Sequence, residues 1–251
     1  MSTTRHAFIT GAGSGIGLAT ARALAATGAR LTLTGRNLEK VRAAAGEFES
    51  AHAVACDVAD EKSVNAALAA ARERHGAVGI LVNNAGQAPS APFKNTDLAF
   101  WNTVLAVNLT GAFLCTRAAL PDMLAARWGR IVNVGSVCSL KGYAYVSAYV
   151  ASKHGLLGLT RALAQETAKQ GVTVNCVCPG YVDTPIVTDS VERITGKTKL
   201  AADEALASLV QFNPQGRLIA PEEVAAAIAY LCTDAAAAIN GAAIPVTGGE
   251  I

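Results

Sequence analysis

The sequence predicts an α/β fold built on a doubly wound parallel sheet with helices on both of its faces, and three observations support this. Short strand-like stretches alternate with longer stretches of helical periodicity along most of the chain. Strand candidates such as 80–82 and 131–134 are apolar on both faces, as expected of strands buried between two helical layers. A glycine-rich turn joins the first predicted strand to the first predicted helix.

The predicted elements follow one another with short connections. We expect strands at 6–10, 30–34, 51–56, 80–83, 130–134, 172–178 and 243–246, and helices at 16–27, 64–75, 98–127, 148–170 and 221–232. Between residues 182 and 218 the alternation fails, and we expect this mixed stretch to pass over the edge of the sheet as a substrate lid. A chain of 251 residues fits one domain, so we expect a single domain over 1–251.

Composition limits the classes of partner. Hydrophobic residues make up 51% of the chain, and 21 basic residues nearly balance 19 acidic ones, which argues against nucleic acid or an anionic membrane. Residues 1–6 run straight into a strand, and we expect no later stretch long enough to span a bilayer. We therefore predict a cytoplasmic protein that acts on a small molecule, with no nucleic-acid or membrane partner.

The six cysteines are scattered through predicted core elements. Cys176 and Cys178 share one face of a strand and do not form a CxxC pair. We expect six buried, reduced thiols, with no disulfide and no metal site.

The glycine turn reads Thr10-Gly11-Ala12-Gly13-Ser14-Gly15-Ile16-Gly17. It ends a strand and opens a helix, where backbone N–H groups and the helix dipole can receive a pyrophosphate. The turn departs from G-x-G-x-x-G because Ile16 stands where the third glycine would fall, and no Gly-Lys-Ser/Thr closes it as a P-loop. A tight connection without a ligand is the alternative interpretation.

A second motif carries acid–base chemistry. Tyr149 and Lys153 are spaced i, i+4, so their side chains share one face of a predicted helix. A free phenol has a pKa of about 10, and we expect the neighbouring ammonium to lower it, making Tyr149 an acid in reduction and a base in oxidation. Ser136 follows strand 130–134, at the edge where such sheets bind ligands. The alternatives are an exposed tyrosine beside a solvated lysine, and a serine that caps a loop.

Together, T-G-x-x-x-G-x-G, Ser136 and the Tyr149/Lys153 pair resemble the short-chain dehydrogenase/reductase family, over nearly the whole chain from Thr10 to Gly249. The resemblance implies a Rossmann-like dinucleotide-binding and catalytic domain that moves a hydride between a nicotinamide and a carbonyl or secondary alcohol, as 3-oxoacyl thioester reductases and secondary alcohol dehydrogenases do. It also implies the catalytic residues Asn108, Ser136, Tyr149 and Lys153. Asn108 would bend its helix and hold a water leading to the lysine, or alternatively satisfy a neighbouring backbone group.

The cofactor-binding residues implied by the resemblance lie at strand ends. They are Gly11, Ser14, Gly15, Ile16, Gly17, Arg36, Asp57, Val58, Asn84, Ala85, Gly86, Tyr149, Lys153, Pro179, Gly180, Val182 and Thr184. For Asp57 the alternative is a helix N-cap. One departure is Thr247, where relatives commonly carry aspartate.

The end of the second strand bears on the choice of dinucleotide. Residues 34–37 contain no carboxylate for a ribose hydroxyl, Gly35 leaves room for an added phosphate, and Arg36 can pair with phosphate oxygens. This favours NADP(H) over NAD(H). Alternatively, Arg36 is a solvated loop charge, and Glu39 approaches the ribose from the next helix.

The predicted activity is thus interconversion of a ketone and a secondary alcohol, with a 3-oxoacyl thioester as one candidate ketone. One rival is an NAD-dependent secondary alcohol dehydrogenase working oxidatively, and another is a non-catalytic dinucleotide-binding sensor. An epimerase or dehydratase is disfavoured because Ser14 occupies the place of its second glycine. The family resemblance also implies a homotetramer, with helix 148–170 as a packing face.

An apolar substrate pocket is expected around the lid and the loop after Ser136. Its candidate residues are Leu140, Tyr143, Tyr145, Val146, Ile186, Val187, Ile194 and Leu209. Arg193, Lys197 and Lys199 are candidates to meet the phosphates of an acyl carrier, although Asp189, Glu192 and Asp203 nearly balance their charge.

Overall fold

A computed structural model describes residues 5–198 and 200–251 of the chain. It contains one parallel sheet of seven strands in the order β3-β2-β1-β4-β5-β6-β7. The strands are β1 His6–Thr10, β2 Arg30–Gly35, β3 Ala51–Ala55, β4 Ile80–Asn83, β5 Gly129–Val134, β6 Val172–Pro179 and β7 Ala243–Val246. The prediction of a Rossmann-like doubly wound parallel sheet is confirmed.

Nine α-helices lie in the described part of the chain. They are α1 Gly15–Ala25, α2 Leu38–Ala45, α3 Glu61–His75, α4 Leu98–Leu105, α5 Gly111–Ala126, α6 Ser147–Thr167, α7 Pro185–Lys197, α8 Ala202–Val210 and α9 Pro221–Leu231. A π-helical turn, Ala106–Thr110, joins α4 to α5 in place of the single helix predicted. Three helices were not predicted: α2, which Asn37 caps by accepting a hydrogen bond from the Lys40 amide at 3.0 Å, and α7 and α8.

The order of the strands creates the binding crevice. β1 pairs with β2 on one side and with β4 on the other. The chain therefore winds away from β1 in both directions, which leaves a crevice at the carboxyl ends of β1 and β4. The glycine turn after β1 and residues 84–86 after β4 lie at this crevice.

The two faces of the sheet bury separate apolar layers. Ile9 and Val132 pack into one layer, with α9, whereas their neighbours Phe8 and Ile131 pack into the other, with α3 and α5. Successive residues of one strand thus alternate between the layers, which explains why the strands are apolar on both faces.

Buried amides tie the sheet to the helix that carries the Tyr149/Lys153 motif. The Asn83 amide donates to the Asn133 side-chain oxygen at 2.8 Å, and the Asn133 amide donates to the Thr160 hydroxyl on α6 at 2.9 Å. These buried bonds cross β4, β5 and α6, so they fix the position of α6 against the strand ends.

One expectation about membrane spans is wrong. The continuous helical run Leu98–Ala126 is long and apolar enough to cross a bilayer by length and composition, although core helices pass the same test. In this structure the run packs against the sheet, and Asp122 on α5 forms an ion pair with Arg72 on α3 at 2.8 Å. The prediction named a long helix at 98–127 but overlooked that a helix of this length and composition could cross a bilayer.

All six cysteines are buried and free, as predicted. The Sγ atoms of Cys176 and Cys178 lie 3.7 Å apart on one face of β6. Among the residues the structure describes, no group of three or more His, Cys, Asp or Glu side chains is arranged to hold a metal ion.

Candidate active site

The glycine turn is held in a tight and specific shape. Gly11 has a φ of +64°, and a Cβ on Gly17 would lie 2.4 Å from the Gly11 carbonyl oxygen. Asn84 holds the turn from the neighbouring strand end, because its amide donates to the carbonyls of Thr10 at 2.9 Å and Gly11 at 3.0 Å. The hydroxyl of Thr10 accepts from the Asn84 and Ala85 amides, both at 3.0 Å.

This turn fits a dinucleotide. Ser14 precedes α1 in extended conformation and its side chain makes no capping hydrogen bond, which leaves the first N–H groups of the helix for a ligand. Because Gly11 and Gly17 have no side chain, a dinucleotide could approach the backbone closely here, and any side chain at these positions would block it. The structure therefore contains the cradle that the T-G-x-x-x-G-x-G pattern predicts.

The segment after β6 reaches the same turn. A Cβ on Gly15 would lie 3.0 Å from Cγ2 of Thr184, so the two positions are in contact. Val182 is buried and forms a parallel bridge with Ile219, which anchors the base of the lid. Thr184, predicted from the resemblance together with Pro179, Gly180 and Val182, therefore contacts the glycine turn.

At the far end of the crevice, Arg36 is exposed and its guanidinium makes no hydrogen bond to any residue that the structure describes. Glu39, the alternative ribose ligand, forms an ion pair with Arg42 at 2.7 Å. Lys40 was missed in the sequence: its Cγ lies 3.1 Å from a Cβ placed on Gly13. A second cation, Lys40, therefore lies against the glycine turn.

The alternative interpretation of Asp57 as a helix N-cap is wrong. Asp60 caps α3, with its side chain accepting from the Lys62 amide at 3.0 Å, while Asp57 accepts from the Ala59 amide in a turn at 3.0 Å. Val58 is buried against α5, where a Cβ on Gly111 would lie 2.7 Å from Val58 Cγ2.

Ser136 lies at the end of β5, with only 7% of its surface exposed. Its hydroxyl accepts from the Cys138 amide at 3.1 Å and caps the short turn Val137–Ser139, as the alternative interpretation held. The same hydroxyl is close enough to Tyr149 to lower the pKa of that phenol. Ser136 and Tyr149 are therefore neighbours, so capping does not exclude a role in chemistry.

Lys153 is buried, and its Nζ lies 5.6 Å from the centre of the Tyr149 ring. The ammonium donates to the carbonyl oxygen of Val134 at 2.7 Å, at the end of β5. Burial lowers the pKa of Lys153 to about 8, because an ammonium loses hydration in the interior. The i, i+4 spacing thus places phenol and amine on one face of α6, as predicted.

The predicted direction of the Tyr149 pKa shift is wrong for the protein alone. Burial raises the pKa of Tyr149 above its usual value, since the phenolate loses water, and the nearby Ser136 hydroxyl only partly opposes this. The Lys153 ammonium donates to the Val134 carbonyl, and burial is the largest cause of the shift. The phenol is therefore protonated at neutral pH, as a proton donor must be, and its raised pKa means that it releases the proton only as negative charge develops on an acceptor oxygen.

Asn108 lies in the π-helical turn between α4 and α5 and is 1% exposed. Its side-chain oxygen accepts from the Gln87 amide and its side-chain nitrogen donates to the Gln87 carbonyl, both at 2.9 Å. A Cβ on Gly86 would lie 3.0 Å from the Asn108 oxygen and 3.7 Å from Lys153 Nζ. Asn108, Gly86 and Lys153 therefore converge, and Gln87 is a site residue that no sequence motif indicated.

The stretch between residues 182 and 218, expected to be a substrate lid, contains α7 and α8. Of the predicted pocket residues, Val187 and Leu209 are buried, whereas Ile186 and Tyr145 are 47% and 68% exposed. Arg193 donates to the carbonyl of Ala88 at 3.4 Å, so it contacts the loop after β4. Lys199 and the side chain of Lys197 lie outside what the structure describes.

Fold and site define an α/β protein with a dinucleotide cradle and a Ser, Tyr, Lys and Asn cluster beside it. The sequence profile of the short chain dehydrogenase family matches residues 5–195. The chain belongs to this family.

Three relatives illustrate the similarity. A putative ketoacyl reductase of the granaticin polyketide synthase from Streptomyces violaceoruber is 42% identical over 97% of this chain and 92% of its own. A D-beta-hydroxybutyrate dehydrogenase from Cupriavidus necator is 38% identical over 98% of both chains. The crystal structure of an actinorhodin polyketide ketoreductase with NADPH superposes with a TM-score of 0.95 at 38% identity, covering 100% of this chain and 99% of that one. The protein is an NAD(P)-dependent oxidoreductase that interconverts ketones and secondary alcohols.

Proposed function

We propose that the protein reduces a ketone with NADPH, using Tyr149 as proton donor, Ser136 to hold the substrate oxygen, Lys153 to orient the cofactor ribose and Asn108 to support a proton path. The observation that carries the proposal is the convergence of Ser136, Tyr149 and Lys153 at the carboxyl edge of the sheet. The cofactor residues named above, from Gly11 to Thr184, complete the proposed site, in one domain over residues 1–251 with residues 182–218 as its substrate lid.

Each of the four proposed catalytic residues has its own role in the reaction. The bound nicotinamide supplies the hydride. Ser136, buried at the strand end, donates to the carbonyl oxygen of the substrate, and the protonated phenol of Tyr149 transfers its proton to that oxygen as charge develops there. Lys153 remains protonated at neutral pH and stabilises the phenolate that results, and Asn108 keeps Gln87 and Gly86 in place beside it.

The decisive experiment is a substrate panel. NADPH oxidation would be followed at the nicotinamide absorbance with 3-oxoacyl thioesters, aryl ketones and alicyclic ketones, and NADP⁺ reduction with the matching alcohols. Turnover of at least one ketone class supports the proposal. Tight dinucleotide binding without turnover on any of these would instead favour a dinucleotide sensor, and turnover restricted to NAD⁺ and alcohols would favour the oxidative dehydrogenase.

Preference for NADPH is expected to depend on Arg36. We expect Arg36→Ser to weaken NADPH binding about 10- to 100-fold, because a charge-assisted hydrogen bond to phosphate contributes about 1.5–3 kcal/mol. NADH binding should change little, since NADH lacks the adenosine 2′-phosphate. Fluorescence titration of both dinucleotides measures the two affinities.

A matched control for that titration is Arg74→Ala, which removes one exposed arginine from the last turn of α3, far from the strand ends that bind the cofactor. We expect it to leave both affinities unchanged. Equal loss of NADPH and NADH affinity in Arg36→Ser would contradict the assignment of Arg36 to the phosphate.

We infer a cytoplasmic homotetramer. Only 33% of the most apolar 18-residue window of the run Leu98–Ala126 is buried within the chain, and Leu98 and Phe113 are 71% and 41% exposed. Packing against other copies of the chain would cover this apolar surface, and α6 would take part in the same interface. Light scattering coupled to size-exclusion chromatography is expected to give four times the chain mass of 25.6 kDa, and a monomer mass would refute the tetramer.

A further inference from the structure

The side-chain carboxylate of Glu250 is buried, and the proposed mechanism does not use it. Its side chain is only 3% exposed. Glu250 forms an ion pair with Lys141 at 3.0 Å and accepts a hydrogen bond from the hydroxyl of Tyr143. A buried carboxylate needs such partners, because desolvation without them is costly.

Both partners belong to the loop that leaves Ser136 and leads to Tyr149. A Cβ on Gly180 would lie 3.4 Å from the second carboxylate oxygen of Glu250, so the tail also contacts the segment that follows β6. The Lys141 ammonium lies 5.0 Å from the centre of the Tyr143 ring. The tail therefore joins the catalytic loop to the end of β6, at the substrate side of the crevice.

Three aromatic side chains, those of Tyr143, Phe212 and Tyr181, form a row from this ion pair toward the phenol of Tyr149, and we call this row the aromatic wall. The ring of Tyr143 meets Phe212, which follows α8 of the lid, edge to face with centres 5.8 Å apart. Phe212 in turn stacks with Tyr181 at 6.4 Å, and Tyr181 is close enough to Tyr149 to act on it electrostatically. A substrate held at Tyr149 would thus lie beside this wall.

The charge of Lys141 reaches the same place. Lys141 acts electrostatically on Tyr181 and on Cys138, two residues after Ser136, and Glu250 acts on Cys138 with the opposite sign. At separations of several ångströms in a partly buried site, one unpaired charge changes the binding of an ion substantially. The pairing of Lys141 with Glu250 removes that net charge.

We propose that Glu250 determines which substrates the site accepts. Because Glu250 neutralises Lys141, the aromatic wall carries no net charge, and the site prefers uncharged ketones to oxo acids. This inference rests on the proposed function. An amide at position 250 would keep the hydrogen bond from Tyr143 and leave the Lys141 ammonium free to attract a carboxylate.

The test compares Glu250→Gln with the unmodified enzyme on a homologous series of methyl ketones. In each pair the ketone is separated from a carboxylate, or from the isosteric primary amide, by one to four methylene groups. For each pair we compare kcat/KM for the acid with kcat/KM for the amide. In Glu250→Gln we expect this ratio to rise at least about fivefold at the best chain length, because KM for the acid falls. For the amides, kcat/KM should change less than about twofold. The double variant Lys141→Met with Glu250→Gln should return the ratio to that of the unmodified enzyme.

The outcomes separate this inference from the proposed function. If no ketone of the series and none of the wider panel is turned over by the unmodified enzyme, the proposed function fails. If the amides are turned over but the ratio stays unchanged in Glu250→Gln, the inference alone is wrong. A raised ratio that persists in the double variant also overturns it, because Lys141 would then play no part.

Discussion

Replacing Tyr149 with phenylalanine is expected to reduce turnover about 10²- to 10⁴-fold, the range contributed by a positioned general acid. The substitution keeps the ring that packs on α6 and removes only the hydroxyl that neighbours Ser136. Tyr149 is also one of the proposed cofactor-binding residues, so loss of its hydroxyl is expected to weaken dinucleotide binding by at most about tenfold, the effect of one hydrogen bond. Steady-state kinetics with a ketone from the panel, together with a fluorescence titration of NADPH, measure the two effects.

A matched control removes a hydroxyl from a tyrosine outside the site. Tyr230 on α9 is 51% exposed, and Tyr230→Phe is expected to leave turnover unchanged. Loss of NADPH binding together with turnover in Tyr149→Phe would show a structural defect, and turnover near that of the unmodified enzyme would exclude Tyr149 as proton donor.

The second large effect concerns stability at low pH. His6, at the start of β1, is 2% exposed and bonds to the Gly76 carbonyl at 2.8 Å and the Thr32 hydroxyl at 2.9 Å. Burial lowers the pKa of His6 to about 4, with His75, whose ring centre is 5.2 Å away, acting in the same direction. Between about pH 4 and pH 6.5 the His6 ring is therefore neutral in the folded protein, whereas in the unfolded chain, where its pKa is near 6.5, it is protonated.

The sign of the effect follows from this difference. Above about pH 6.5 both states leave His6 neutral, so its contribution to stability is complete, and it is lost as the pH falls toward 4 because only the unfolded chain binds the proton. Between pH 7 and pH 5 the free energy of unfolding is expected to drop by about 2 kcal/mol through His6 alone. Denaturant unfolding followed by circular dichroism at several pH values measures the slope.

His6→Gln should flatten that pH dependence by about the same amount, even though its stability at pH 7 falls through lost packing. His154→Gln is the control, because His154 is exposed on α6 and its replacement is expected to leave the slope as it is. An unchanged slope in His6→Gln would contradict the assignment of the proton to His6.

Local patterns predicted the parts of the site that lie on one element. The spacing of Tyr149 and Lys153 predicted a shared helix face, and the glycines from Gly11 to Gly17 predicted the cradle between β1 and α1. Helix α2 was missed because Asn37 and Gly35 look like loop residues until Asn37 is seen to cap the helix. Helices α7 and α8 were missed because they pack largely on each other, away from the strand alternation on which the prediction relied.

The sequence by itself determined the seven strands and their order along the chain, the glycine turn between β1 and α1, and the shared helix face of Tyr149 and Lys153, because strand and helical periodicity and turn chemistry act over a few residues. Only the tertiary structure decided that Gln87 holds Asn108, that Lys141 meets Glu250, and that burial raises the pKa of Tyr149. Each of these depends on segments far apart in the chain and on the exclusion of water, which no local pattern records.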